Sequence, residues 1–584
     1  LVWAASPRVA DVPRTGFWPP PQGETHWTST EPHGAIVRLR LLGFNDFHGN
    51  LQPPTRNAGR PVGGAAALAA YLEAAEHEDP GRTLILHAGD HLGASPPITR
   101  LLANEPAIQF LNLLANPGCR PLTPRTDAGA AATRCNVVGT LGNHEFDAGV
   151  AEIRRLLYGG NAASGPYLEA PYRGSRVPYV CANVRDRTTG RLLLPPSVIV
   201  HLGGIPVGII GAVVRQTPTL VPAWATRDLE FLDEADSINA AAAQLKRRGV
   251  RTLVVLIHQG LTPVVRSSES GGAAEPGEIE WGGPLRDIVA KLDEDIDVVI
   301  SGHTHSYTNA LLPNRGGRAV LVTQAYSYGV AYADIELIVD RATHDVVSKS
   351  ARIVPVWDDA GPGLYPDERV ASLTAAAAAA VESQIATVVT TLGDPITRAP
   401  NPAGESALGD LVADAQRSAT GADFALMNPG GLRADLHAGP ITRGDILTVQ
   451  PFANRLVTVS MSGARLREVL EQQWPDASRP PLILKTSGLR EVWDNTRPAG
   501  ARIVTLCTAD HHPVDPDMNY RVTVNDFLLG GGDGFTRLRG LDGKIGPLDS
   551  DALERFLASF NGTAAHTGER VVRADLGAGR NCSP

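Results

Sequence analysis

The spacing of apolar residues changes along the chain, and each change marks an element. Residues 35–44, AIVRLRLLGF, alternate well enough to predict a strand. Gly63-Gly64 lead an alanine-rich stretch, about 64–77, that predicts a helix. The next apolar run is Thr83–His87. Helical segments near 98–115 and an irregular insert at 116–134 separate it from Val137–Thr140. Val177–Asn183 and Val198–Val214 predict further strands, the second a hairpin about Gly203-Gly204. Residues 233–248 read as helix, and the near-continuous run Thr252–Ile257 as a strand buried on both faces. A helix over Pro284–Leu292 precedes the run Ile296–Ile300. Val320–Gln324 and Ala331–Asp340 complete this half. The strand–helix–strand recurrence places it among layered α/β folds.

The pattern shifts near residue 356. A turn-like stretch leads into residues 367–386, where the run Ala375–Ala380 predicts a helix joining two globular halves. Beyond it, Leu408–Ala419 reads as helix and Asp423–Met427 as strand, opening into Asn428-Pro429-Gly430-Gly431-Leu432-Arg433. Leu447–Phe452 and Leu456–Met461 read as further strands, 463–472 as helix, and Tyr520–Asn525 as a strand running into DFLLGGGDGF, residues 526–535. Residues 1–35, rich in Pro, Thr, Trp and Gly, read as an extended arm.

At 584 residues the chain is too long for one typical domain, and 43% hydrophobic residues suffice for sizeable cores. A net charge of −9 gives no nucleic-acid footprint, and no apolar run is long enough to span a membrane. The opening Leu1-Val2-Trp3-Ala4-Ala5 could be the stub of a removed signal peptide. The five cysteines form no CxxC pair, which argues against thiolate zinc. Buried thiols are one reading. The other is an exported protein with disulfides, Cys119–Cys135 and Cys507–Cys582 being the pairings favoured by loop closure. Asn561-Gly562-Thr563 is a formal glycosylation sequon that reads as an ordinary surface loop.

Five apolar runs end in metal-ligating residue types: Asp46 and His48, Asp90, Asn143, His258, then His303 and His305. The pairs two residues apart would point one way from an extended chain. Seven N/O ligands exceed one tetrahedral zinc and suit two adjacent borderline divalent ions with a bridging carboxylate. Zn2+ and Mn2+ fit best, Fe or Co2+ also fit, and Mg2+ suits the histidines poorly. Two such ions are suited to in-line hydrolysis of a phosphate ester. Within GNHEFD, His144 could donate a proton or stabilise charge, and Asp147 could orient it.

The ordered set NDFHGN, AGDH, GNHEFD, IHQG and SGHTH resembles the calcineurin-like metallophosphoesterases. NPGGLR and NDFLLGGGDGF extend the likeness, over roughly residues 36–560, to the secreted and periplasmic 5'-nucleotidase / UDP-sugar hydrolase family. The resemblance implies a four-layer αββα metallophosphoesterase domain plus a second α/β substrate-binding domain joined by a helix. The implied boundaries are an arm at 1–35, a dinuclear-metal domain at 36–355, a linker and helix at 356–390 and a nucleotide-binding domain at 391–584. It implies that Asp46, His48, Asp90 and His305 hold one ion, and that Asp90 bridges to a second held by Asn143, His258 and His303. His144 and Asp147 would be catalytic. Asn428 and Arg433 would face the substrate, Phe452 and Phe527 would stack on the base, and Asp533 would line the pocket. Where the family often has glutamine or asparagine this chain has His305. Where it places an arginine before the segment matched by Glu405–Gly409, this chain has Gly404.

The expectation is an enzyme of the periplasm or cell exterior that hydrolyses nucleoside 5'-monophosphates, a small-molecule substrate, with no obligate nucleic-acid partner. A 2',3'-cyclic-nucleotide phosphodiesterase with 3'-nucleotidase activity and a nucleotide-sugar hydrolase are the enzymatic rivals. A secreted, metal-stabilised binding module is the non-enzymatic one.

Overall fold

A computed structural model describes residues 24–28, 35–57, 60–122, 131–264, 280–359, 365–475, 481–559, 570–577 and 581–582. The Asn561 sequon, most of the N-terminal arm and most of the loop at 268–284 lie outside these residues. The chain divides into two compact units, one of Asp11–Pro218 with Trp224–Val381, the other of Glu382–Pro584 with Thr219–Ala223.

The first unit holds two seven-stranded sheets. One runs Thr25–Thr28, Val346–Pro355, Ala331–Asp340, Ile36–Phe44, Thr83–His87, Val137–Thr140, Tyr179–Val180. The other runs Tyr307–Pro313, Ala319–Ala325, Ile296–Ser301, Thr252–His258, Ile205–Val213, Ser197–Leu202, Ala131–Thr133. Leu39, Leu41, Leu84 and Leu86 of the first share one buried core with Val254, Leu256, Val298 and Ile300 of the second. Each such side chain contributes about 1.5–3 kcal/mol relative to exposure. Helix Ala65–Glu78 lies against Thr83–His87, and helix Glu234–Arg247 against Ile205–Val213 through Ile238, Ala242 and Leu245. The layers are therefore helix, sheet, sheet, helix.

Parallel pairing decides where the chemistry can lie. Ile36–Phe44, Thr83–His87 and Val137–Thr140 run parallel in one sheet, as do Thr252–His258 and Ile296–Ser301 in the other. Crevices outside the carboxyl ends of parallel strands are where such sheets bind ligands. All five candidate loops follow such ends.

Several elements differ from the sequence pattern. Thr25–Thr28, within the expected arm, pairs antiparallel with Val346–Pro355. Ala131–Thr133, within the irregular insert, pairs parallel with Ser197–Leu202. The expected strand Val177–Asn183 shortens to Tyr179–Val180. The helical stretch near 98–115 splits into Pro97–Arg100 and Glu105–Leu114, because Ala103 and Asn104 adopt left-handed φ of 51° and 61°. The hairpin forms as expected: Gly203 and Gly204, at φ 55° and 87°, turn Ser197–Leu202 into Ile205–Val213.

In the second unit a five-stranded sheet runs Lys485–Ser487, Phe424–Met427, Asn519–Asn525, Arg455–Ser462, Gly543–Leu548. Helix Ala407–Thr420 packs on it and on helix Asp549–Ala558. Of the expected strand Leu447–Phe452, Leu447–Val449 is the end of helix Arg443–Val449 and residues 450–452 are the turn after it. That helix starts at a capping box in which Thr442 and Asp445 satisfy each other's backbone N–H. Both expected disulfides are formed, Cys119–Cys135 and Cys507–Cys582, and Cys181 is a buried free thiol. Among the described residues no helix is long and apolar enough to cross a membrane.

Candidate metal centre

The strand ends turn sharply, and the ligand-type residues sit in the turns. Asp46, His48, Asp90, His303 and His305 all have left-handed backbones, with φ between 46° and 75°. Non-glycine residues rarely hold this conformation, and it clusters where surrounding structure enforces it. Asp46 and His48 still converge on one group, but from a turned rather than an extended chain, while the expectation that His303 and His305 point one way is corrected. His305 turns to Asp46, its Nε2 3.2 Å from Oδ1. His303 instead places its ring beside that of His258, 5.3 Å between centroids, and donates its backbone N–H to Asp46.

Two groups result, Asp46–His48–His305 and Asp46–Asp90–His258, each with ligand atoms mutually within 4.8 Å. Asp46 is common to both. Asp90 Oδ2 also lies between them, 3.7 Å from His48 Nε2 and 3.0 Å from His258 Nε2. His48 and His258 donate their Nδ1–H to the carbonyls of Gly93 and Ala88, at 2.9 and 2.8 Å, which leaves each Nε2 to face the carboxylates. The Nε2 atoms of His48 and His305 stand only 3.1 Å apart. Asn143 is buried, and its Oδ1 has no hydrogen-bond partner among the described residues.

Burial pushes the His48 imidazole well down and that of His303 down to about 4. Burial also opposes charge on His258, but the Asp90 and Asp46 carboxylates hold its pKa up at about 10. Burial opposes ionisation of Asp46 and Asp90, yet the surrounding imidazoles keep both carboxyls below the usual range. Buried carboxylates, inward-facing imidazole nitrogens and an orphaned amide oxygen are the donor set of borderline divalent cations, and these residues fit two.

His144 follows Asn143 directly. It belongs to neither group, and its ring is 5.3 Å from that of His48. Its Nδ1 lies 2.9 Å from Asp147 Oδ2, and its backbone N–H donates to Asp90 Oδ1 at 2.8 Å.

In the second unit, Asn428 donates its amide to Asp533 Oδ2 at 2.8 Å, and Asn525 donates to Asn428 Oδ1 at 3.0 Å. Burial raises the Asp533 carboxyl, partly offset by the Asn428 hydrogen bond. The Arg433 guanidinium lies 5.9 Å from the centroid of the Phe452 ring. Phe527 is half-buried and its ring covers Gly532, leaving no room there for a Cβ. Phe527 is thus brought to the Gly-rich loop, and Phe452 to Arg433. Gly404 has φ 95° and faces Ile483 so closely that no larger residue fits. Its carbonyl accepts from Lys485. Of the nearby arginines, Arg398 donates to the carbonyls of Leu432 and Arg433, and Arg417 to Ser487.

Residues 39–307 match the calcineurin-like phosphoesterase family and residues 384–540 match the 5'-nucleotidase C-terminal domain. The chain belongs to the calcineurin-like phosphoesterases that carry this second domain. It is similar to endonuclease YhcR of Bacillus subtilis, 33% identical over 92% of this chain and 41% of that one. It is also similar to cell wall protein Lmo0130 of Listeria monocytogenes, 33% identical over 88% of this chain and 66% of that one. It therefore spans less than two thirds of both relatives. A 5'-nucleotidase precursor from Thermus thermophilus shares the fold, with a TM-score of 0.72 and 26% identity over 92% of this chain and 99% of that one.

Residues the motifs left without a role also shape the centre. Asn45 donates to Asp46 Oδ2 at 2.6 Å and accepts from the Ala325 backbone at 2.9 Å. Tyr328 donates its backbone N–H to the Asp46 carbonyl at 2.7 Å and sets its ring against His48 and His305. Only pairing across 280 residues of chain reveals the first of these, and the second is as distant.

Proposed function

We propose that the chain hydrolyses nucleotide phosphate esters, with nucleoside 5'-monophosphates as preferred substrates and nucleoside and phosphate as products. The observation that carries this is the doubled carboxylate–imidazole cluster beside the His144–Asp147 pair, in a chain that also carries a 5'-nucleotidase C-terminal domain. Two divalent ions, zinc or manganese, would supply Lewis-acid charge for the phosphoryl oxygens and acidify the attacking water. Asp46, His48, Asp90 and His305 would hold one. Asp90 would be shared with the second, held also by Asn143, His258 and His303. Asp147 fixes the His144 ring, so that His144 presents its Nε2 side to the charge developing on the phosphoryl group. Asn428, Arg433 and Asp533 would orient the substrate, and Phe452 and Phe527 would stack on its base, which tolerates many bases.

We assign the phosphoesterase domain to 36–355 and nucleotide binding to 391–584, with 356–390 connecting them. A place outside the cytoplasm is supported by the two disulfides and by a relative whose name is cell wall protein.

A phosphodiesterase reading, cyclic 2',3'-nucleotides first, is favoured by two observations. Gly404 stands where the family places an arginine, and one relative is named an endonuclease. A panel of AMP, UMP, 3'-AMP, cyclic 2',3'-AMP, UDP-glucose and p-nitrophenyl phosphate, with and without divalent ions, tests both. Highest kcat/KM on AMP or UMP, abolished by chelation, supports the proposal. Highest kcat/KM on the cyclic nucleotide replaces it with the second reading, and metal binding without turnover leaves only a binding module.

A further inference from the structure

The Glu145 carboxylate is buried in the short turn His144–Phe146, and it has no place in either metal group. Its hydrogen-bond partners among the described residues are four backbone N–H groups. Oε1 accepts from His91 at 2.8 Å and Leu92 at 3.1 Å; Oε2 accepts from Asp90 at 3.0 Å and from Gly142. Three donors belong to the loop that carries Asp90. The fourth belongs to the loop that carries Asn143 and His144.

The two loops are in backbone contact at this point. Gly89, at φ 83°, faces the Leu141–Gly142 peptide with no space for a Cβ, and Gly142 faces Asp90 in the same way. Two turns so close would direct their N–H dipoles into an unsolvated gap. A buried donor without an acceptor costs about 1–3 kcal/mol, so the gap needs one acceptor group reaching both sides.

We infer that Glu145 is a positioning residue that clamps the Asp90 loop to the Asn143–His144 loop and so fixes the spacing of two metal ligands and the catalytic imidazole. This rests on the metal-centre reading above. Glutamine at 145 has the same shape but only one acceptor oxygen, so it leaves two of the four backbone N–H groups facing its own NH2 group. Aspartate keeps the charge and both oxygens on a shorter arm.

The test compares full-length wild type, Glu145→Gln and Glu145→Asp. Metal affinity is measured by competition with a chelator using Zn2+ and Mn2+, together with thermal unfolding of the metal-free protein and kcat and KM on p-nitrophenyl phosphate. Positioning predicts that Glu145→Gln weakens metal affinity by about 10- to 100-fold, the usual cost of losing a group that orients ligands. The metal-free melting temperature should fall too, because two buried N–H groups lose their acceptor; kcat should fall with KM nearly unchanged, and Glu145→Asp should recover part of these losses. Wild-type metal affinity and kcat in Glu145→Gln would overturn the inference. So would a large fall in metal-free melting temperature with wild-type affinity in the folded fraction, which marks a purely structural role. If wild type itself binds neither ion, the metal-centre reading fails instead, and the wild-type arm shows it.

Discussion

Truncating His144 to alanine separates catalysis from metal binding. The side chain belongs to neither ligand group, so His144→Ala should retain the wild-type metal content. His144 and Asp147 are 14% and 22% exposed, so the freed carboxylate stays hydrated and the fold should lose less than about 1 kcal/mol. The activity loss should be far larger. A positioned acid or charge stabiliser contributes about 10²–10⁴-fold, or about 3–5 kcal/mol of barrier. Asp147 acts only by holding the ring at 2.9 Å, so Asp147→Asn, which can still accept one hydrogen bond, should cost about ten-fold, or about 1.4 kcal/mol. Because one residue acts through the other, the double variant should be no slower than His144→Ala alone. The assay is kcat on p-nitrophenyl phosphate and AMP for all four proteins, with metal content measured on the same samples. A further ten-fold loss in the double variant would show that Asp147 acts independently. Loss of metal in His144→Ala would show that the ring supports the centre rather than the reaction.

Asp90→Asn should cut turnover by at least about a hundred-fold and lower metal occupancy, because the carboxylate faces both His48 and His258 and also holds the His144 backbone. Full activity with two ions per chain would refute its shared role. Phe527→Ala should raise KM for AMP about ten-fold and leave p-nitrophenyl phosphate, which has no base, nearly unchanged; an equal effect on both substrates would make the ring purely structural. Glu491 in the second unit is fully buried, and burial pushes its carboxyl up to about 8. A raised carboxyl gives its full stabilisation below the unfolded value of about 4.3 and loses it as pH climbs through about 8. Glu491→Gln, which does not ionise, should therefore gain melting temperature relative to wild type between about pH 5 and pH 8; a pH-independent difference would refute this.

The sequence by itself carried the order of elements and the identity of the ligand-type residues. Thr83–His87, Thr252–His258 and Ile296–Ser301 are apolar almost throughout because parallel strands buried on both faces have no polar side to show, so their ends, and the residues just past them, are legible. The Gly203-Gly204 hairpin was legible for an equally local reason, since the turn demands two positive φ values. Tertiary structure decided what depends on partners distant in sequence. Two-residue spacing in His303 and His305 suggested a common direction, but left-handed turns send one ring to His258 and the other to Asp46. Leu447–Phe452 has a strand's apolar content, yet the cap formed by Thr442 and Asp445 starts a helix that runs into it. Glu145 sat in plain view inside GNHEFD, but its acceptor role exists only because His91, 54 positions away, and its neighbours bring their N–H groups to this carboxylate. Local pattern records what a residue can do; only the fold's long-range contacts decide which neighbour it does it to.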